Sequence, residues 1–293
     1  MFEKAVYINS IASIHPPVSE PADRIPGTRL KAEEPDYKQL IPNAGARRRM
    51  SRIIRMGVAA ATRCLQEAGE AWQPDAILTA TGLGCLEDTE KFMNSFLDND
   101  EGLLAPTAFI QSTFNTIGGQ IALLLGNHGY NNTYVHRGFS LESALLDAAL
   151  LLAEGKASRV LAGSIDELTD TLYAILARFG CWKNAMAGEG AAFFLLSDQP
   201  SAASAVQLQA IDMISSPEKP GEAYLHAFLK RYHAEEATIL YPEEYKQYSG
   251  EYPTAMGFGL WYACHQMKEK GLPAILLCNS FLDNHSLILL KQA

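Results

Sequence analysis

The chain has 293 residues, a formal charge of -9, 48% hydrophobic residues and five cysteines. That size holds one large domain or two closely packed halves, and the apolar share excludes disorder. The acidic balance argues against nucleic acid as the main partner, leaving Arg47, Arg48, Arg49, Arg52 and Arg55 as the one cationic cluster. Cys64, Cys85, Cys181, Cys264 and Cys278 are scattered without a Cys-x-x-Cys pair, so no disulfide framework, metal site or cofactor is expected. The start, MFEKAVYINSIASI, lacks the uninterrupted apolar stretch of a signal peptide, and no segment has the length of a membrane span. A reduced, soluble, cytoplasmic protein without membrane insertion is the expectation.

Val6 to Ile14 reads as a strand, and His15 to Tyr37, with Pro16, Pro17, Pro21 and Pro26, as an irregular segment. Arg52 to Ala68 has helical periodicity and stops at Gly69. Asp75 to Thr81 is a buried strand ending in Gly82-Leu83-Gly84, and Asp88 to Leu97 a helix. Thr113-Phe114-Asn115-Thr116 offers capping residues to an apolar helix from Ile117 to Leu125. Thr133 to Val135 is a short strand, Leu141 to Glu154 a helix, and Arg159 to Ala162 and Ala191 to Leu196 are strands. Ser201 to Ala205 reads as a loop between halves. Beyond it come strand Val206 to Met213, helix Gly221 to Ala234, strand Ala237 to Tyr241, helix Thr254 to Lys270, and strands Ala274 to Cys278 and Leu287 to Leu290. Alternating strands and helices with short links predict a layered α/β architecture.

Several segments resemble the β-ketoacyl synthase family, in the family's own order. VYINSIASIHP resembles its opening strand, ILTATGLG the strand ending in a T-G-x-G turn, and Asn131 to Glu167 its nucleophile elbow, following helix and next strand. Gly188 to Phe193 resembles the G-E-G-A-A strand entry. Asn279-Ser280-Phe281 and Asn284-His285-Ser286-Leu287 resemble the pieces of its last hairpin. The resemblance implies a thiolase-like fold with α-β-α-β-α layers. It divides the chain into an N-terminal half, residues 1–198, and a shortened C-terminal half, 199–293, forming one compact unit.

The family's chemistry uses an elbow cysteine activated at a helix N-terminus, two histidines and a supporting lysine. The cysteine normally lies four residues before a leucine. Here that leucine is Leu141, so the position is Arg137, or His136 if the turn is shifted by one. A guanidinium cannot attack a thioester. The H-G-T-G-T segment that carries the first histidine is missing. The second histidine follows a lysine in K-x-x-x-G-H; here Lys246 and Gly250 are kept and Glu251 takes the histidine position. The glycine-rich turn after N-S-F is cut to Leu282-Asp283.

No catalytic residue is therefore expected. The tunnel-region candidates are Phe139, Ser140, Asn279, Ser280 and Phe281. Ser140 reads as a helix N-cap and Cys85 as a packing residue. His128, His226, His233 and His265 lack metal-ligand spacing. Because Arg137 and Glu251 take positions that face each other in the family fold, an Arg137–Glu251 ion pair is predicted.

The resemblance is strongest to the chain-length-factor branch, carried by RRRMSRIIRMGVAAA, PTAFIQSTFNTIGGQIALLLG, FSLESALLDAALLL and KQYSGEYPTAMGFGLWYAC. It implies a non-catalytic subunit in type II fatty acid, polyketide or aryl polyene/flexirubin biosynthesis. Such a subunit pairs with a catalytic synthase, or with itself, and works with acyl carrier protein. By the same analogy its partner meets the helix from Ile117 to Leu125 and the Asn131 to Val135 strand. The arginine cluster is a candidate carrier contact, weighed against a solvated helix face. The alternatives are an active 3-oxoacyl-acyl-carrier-protein synthase or acyltransferase of unusual chemistry, and a homodimeric acyl-binding protein.

Overall fold

A computed structural model describes residues 4–18, 25–69, 73–98, 102, 106–201 and 206–293. Pro21 and most of the loop from Ser201 to Ala205 lie outside them.

The first strand is β1 (Val6–Ile14). Two short helices follow, α1 (Tyr37–Leu40) and α2 (Ala44–Arg49), then α3 (Arg52–Ala68). Next come β2 (Ala76–Ala80), α4 (Leu86–Asp98), α5 (Pro106–Gln111), α6 (Thr116–Leu125), β3 (Tyr130–Tyr134) and α7 (Ser140–Ala153). Then follow β4 (Arg159–Asp166), α8 (Asp170–Arg178), β5 (Gly190–Ser197), β6 (Val206–Ser215), α9 (Glu222–Arg231) and β7 (Thr238–Leu240). The chain closes with α10 (Pro242–Ser249), α11 (Met256–Lys270), β8 (Ala274–Phe281) and β9 (Asn284–Lys291).

The strands form one sheet in the order β3-β2-β4-β5-β1-β6-β9-β8-β7. Its two leaves meet where β1 and β6 pair antiparallel over only Val6–Ile8 and Val206–Leu208. Within the first leaf β2 runs parallel to β3 and β4, while β5 runs antiparallel to β4 and β1. β2 and β5 are buried along their whole length. That is why AILTA and GAAFFLLS read as continuous apolar runs rather than alternating ones.

Three clusters define the layers. Ile53, Ile54, Met56 and Val58 of α3 pack on Ile77, Leu161, Phe193 and Leu195, the outer face of the first leaf. Leu141, Leu145 and Leu152 of α7, with Met256, Phe258 and Leu260 of α11, fill the space between the leaves. They meet Leu78, Phe194 and Leu196 on one side and Leu208, Leu277 and Leu290 on the other. Leu225, Phe228 and Leu229 of α9 cover Leu276, Leu287 and Leu289 on the outer face of the second leaf. The layers are thus α-β-α-β-α. The period of two along β8 sorts Ile275 and Leu277 inward and Leu276 and Cys278 outward.

The structure departs from the sequence pattern at five helices, α1, α2, α5, α8 and α10. α1 and α2 stand where proline content or charge obscured them. Asp36 caps α1 by accepting from Lys38 N–H, and Asn43 caps α2 by accepting from Ala46 N–H. α8 and α10 were also unread; α10 begins at Pro242, with Glu244 accepting the Tyr241 N–H at 2.7 Å. β3 runs over Tyr130–Tyr134 rather than Thr133 to Val135. It is the terminal strand of the sheet, so pairing with β2 begins earlier than its weak apolar signal suggests.

Candidate functional site

After β3 the chain turns sharply into α7 through a 3-10 turn at Arg137–Phe139. Arg137 is the apex, with φ 52°, a left-handed conformation that L-residues avoid. A strained turn placing one side chain before a helix N-terminus is how nucleophile elbows are built. Four contacts hold it. His136 N–H donates to Ser140 Oγ at 2.8 Å, and that hydroxyl lies 2.8 Å from Thr81 O and 2.9 Å from Arg137 O. Gly138 is the fourth: a Cβ there would meet the Cβ atoms of Phe281 and Asn284 at 3.0 Å, so the turn rests directly on the β8–β9 hairpin. Ser140 is therefore not the N-cap of α7. Phe139 occupies that place without a side-chain cap, and Ser140 is the first helical residue, its hydroxyl spent inside the turn. His136 bonds Ser143 Oγ through Nδ1 at 3.0 Å, so the strained position belongs to Arg137.

The predicted Arg137–Glu251 ion pair does not form. Lys246 takes the carboxylate instead: its Nζ donates to both Glu251 oxygens, at 2.8 and 3.0 Å, and to Ser280 O at 2.6 Å. Arg137 is exposed and, among the described residues, makes no ion pair. The physical reason is hydration. Arg137 keeps its water, whereas the Lys246 ammonium is nine-tenths buried and needs counter-charge and acceptors. Burial pushes the Glu251 carboxyl above its ordinary range while Lys246 pulls it back.

Beneath this pair lies a buried polar chain. Tyr245 donates its hydroxyl to Asn279 Oδ1 at 3.0 Å, and Ser286 donates to Glu142 at 2.5 Å. Glu142, in the first turn of α7, is pushed up to about 7 by burial, with the Ser286 hydroxyl opposing. On the other side of the elbow, Asp166 accepts from Thr81 Oγ1, Gly82 N–H, Thr254 N–H and Thr254 Oγ1 at 2.7–3.2 Å. It thereby ties β4 to the turn after β2 and to the start of α11.

Arg137 and Glu251 do share one cavity of about 340 Å³. Its walls are Leu83, Leu168, Leu172, Leu176, Phe179, Trp182, Tyr252, Pro253, Phe281 and Leu282, with Asp166 and Glu167 at the polar end. Burial pushes Glu167 up to about 7. Of the five tunnel-region candidates, Phe281 lines this cavity. Asn279 and Ser280 line a separate recess of about 160 Å³, Ser140 is buried in the turn, and Phe139 is half-buried at the start of α7. The apolar wall that sequence reasoning missed is α8. Its signal was present: Thr169 accepts the Leu172 N–H as an N-cap, and Leu172, Leu176 and Phe179 repeat at helical spacing.

No cysteine is among the residues that line this cavity. Cys64, Cys85, Cys264 and Cys278 are buried, and burial pushes each thiol up, which disfavours thiolate. Among the described residues no group of three or more His, Cys, Asp and Glu could hold a metal ion, and no helix is long and apolar enough to cross a membrane.

The arginine cluster also resolves into distinct roles. Arg52 forks onto Glu189, at 2.6 and 2.9 Å, and onto Glu34 at 2.5 Å. The Glu189 carboxylate is fully buried and also accepts the Ala32 and Leu168 N–H groups. Arg47 donates to Ile41 O, and the Arg55 guanidinium lies 5.4 Å from the Tyr37 ring. Arg48 and Arg49 are the exposed members, and Arg49 donates to Gly45 O at 3.2 Å.

Residues 24–249 match the model of the β-ketoacyl synthase N-terminal domain, and the chain belongs to that family. A search of curated proteins gives no significant match. Solved structures share the fold, among them the following three. The polyketide synthase complex AntDE:AntF, an acyl carrier protein with its ketosynthase bound to the hexaketide, superposes with a TM-score of 0.82 at 16% identity, covering 100% of each chain. A β-ketoacyl synthase from Burkholderia phymatum STM815 gives 0.77 at 14% identity, over 99% of this chain and 100% of that one. The ketosynthase ApeO with its chain length factor ApeC, from Xenorhabdus doucetiae, gives 0.71 at 12% identity, over 99% and 98%.

Proposed function

We propose that this chain is a non-catalytic, chain-length-factor-type subunit that pairs with a catalytic β-ketoacyl synthase and works with acyl carrier protein. The observation that carries the reading is the elbow. Its strained turn is present at φ 52°, yet its apex is Arg137, which has no nucleophilic atom. The position expected to supply a histidine is Glu251, held by Lys246 at 2.8 and 3.0 Å. The apolar cavity supports a role in enclosing an acyl chain that the partner elongates. The same cavity is what a homodimeric acyl-binding protein needs, so the partner decides between the two.

Co-expression with synthases that carry an intact cysteine elbow, followed by affinity purification and intact mass measurement, tests this. A stoichiometric complex is expected, with acyl groups covalently bound to the synthase and none to this chain. An acyl adduct on this chain alone moves the assignment to an acyltransferase. Stable homodimers that keep acyl ligand and ignore every synthase move it to an acyl-binding protein. Arg137→Ala is expected to leave product formation by the pair within about twofold. Abolished product from a folded, still-paired variant counts against the proposal.

A further inference from the structure

A second recess of about 380 Å³ lies apart from the elbow cavity, with no residue in common. It opens where β1 parts from β6, since the two strands pair only as far as Ile8. Its floor is Ile11, Ala12 and Ser13 of β1. Arg63 and Glu67 come from the last turns of α3, and Trp261, His265 and Lys268 from α11.

Three aromatic rings form one wall. His15 lies 4.7 Å from Trp261, and Trp261 lies 4.1 Å from His265. Both histidines have a fixed tautomer. His15 Nδ1 is 2.7 Å from Pro16 O, and His265 Nδ1 is 2.9 Å from Trp261 O. A carbonyl oxygen only accepts, so each Nδ1 carries its proton and each Nε2 is left for another partner. The charge balance is uneven. Arg63 and Lys268 take part in no ion pair among the described residues, and Glu67 is the one carboxylate lining the recess. A cation in the last turn of a helix complements its dipole, which accounts for Lys268 in α11 but not for Arg63, which stands before the last turn of α3. It does not account for both leaning into one recess with two imidazoles. There, burial and the neighbouring His265 and Arg63 push His15 below the ordinary histidine range, against its backbone bond and Glu33. Like charges gathered this way are stabilised by an anion between them.

We infer that this recess binds a small organic carboxylate with a flat unsaturated body, the anion held by Arg63 and Lys268 and the body laid against Trp261. The volume fits a small ligand, and the His15, Trp261 and His265 rings together give it an aromatic wall.

Benzoate is the probe, titrated calorimetrically into the full chain, with acetate as the anion that lacks a flat body. Saturable one-to-one benzoate binding is expected, at least fivefold tighter than acetate. The double variant Arg63→Gln/Lys268→Gln, two helix-surface changes that leave the core untouched, should weaken it at least tenfold. Histidine ring nitrogen spectra should shift for His15 and His265 and stay still for the other five of the seven histidines. Benzoate binding that survives the double variant, or acetate binding equally well, overturns the inference. So does loss of binding in Arg137→Ala with the double variant unaffected, which would place the ligand in the elbow cavity. The elbow reading itself does not depend on any of these outcomes.

Discussion

A left-handed backbone costs an L-residue roughly 1–2 kcal/mol that glycine does not incur. Arg137 carries that cost at φ 52° while its guanidinium makes no ion pair among the described residues. Arg137→Gly therefore relieves strain and forfeits little, offset by about 0.5–1 kcal/mol of added freedom in the unfolded chain. A net gain of up to about 1 kcal/mol is expected, seen as a higher urea midpoint with an unchanged slope. Glu142 makes the opposite kind of demand. Its folded carboxyl is pushed up to about 7 from an ordinary value of 4.5, so the folded state holds a proton that the unfolded chain releases. The stability this confers is complete below about 4.5 and is lost as pH rises through about 7. Glu142→Gln keeps the shape without the ionisation. It should flatten stability against pH across that window and be the more stable protein at pH 8, by a few kcal/mol at most. Equal pH profiles for the two proteins would place the titration elsewhere. At this scale the identity of the elbow residue was legible, because Leu141 fixes the register. Its partner was not: which carboxylate a cation meets depends on relative burial, and Lys246 is buried where Arg137 is exposed.

Among elements, those with strong contrast were readable and those built as lids were not. Arg52–Ala68 buries one face of isoleucine, methionine and alanine, and its predicted limits match the helix. α8 has no fully buried residue, because one side faces a cavity and the other solvent. Its apolar stripe accordingly looks diluted, although it walls the site. The β8–β9 hairpin was legible as two strands, but its turn reveals more than a shortened loop. Phe281 pairs with Asn284, leaving Leu282-Asp283 as a two-residue connection with Leu282 at φ 53°. A positive φ at the first central position of such a turn favours glycine. Leu282 is 66% exposed, so packing does not offset the strain. It does form part of the cavity rim. Leu282→Gly should raise the thermal midpoint by an amount equivalent to up to about 1 kcal/mol, the relieved strain of the left-handed residue less the added freedom of the unfolded chain, while widening the cavity mouth. A lowered midpoint would mean that Leu282 is held by contacts stronger than its exposure suggests.

For the whole molecule, layer order followed from alternating strands and helices together with the motif order, whereas the joining of the leaves into one sheet did not. The Val6–Ile8 to Val206–Leu208 pairing depends on long-range register that no local pattern encodes. Its consequence concerns cooperativity. The inner face of the first leaf is covered in part by α11, a segment of the second half, so Phe194 and Leu196 share a core with Met256, Phe258 and Leu260. Residues 1–198 expressed alone would leave that face open to water, and hydrophobic burial is the main term holding such a domain together. We expect this piece to be aggregated or molten, lacking dispersed amide resonances. The intact chain should unfold in a single transition. Trp182 reports on the first half, beside α8, and Trp261 on the second, within α11. Variants keeping only one of these tryptophans should show denaturant midpoints that coincide with each other and with far-ultraviolet circular dichroism. Separate midpoints, or a well-dispersed spectrum from residues 1–198, would show that the halves are independent units resting on each other, and that the shared central layer contributes less than its burial implies.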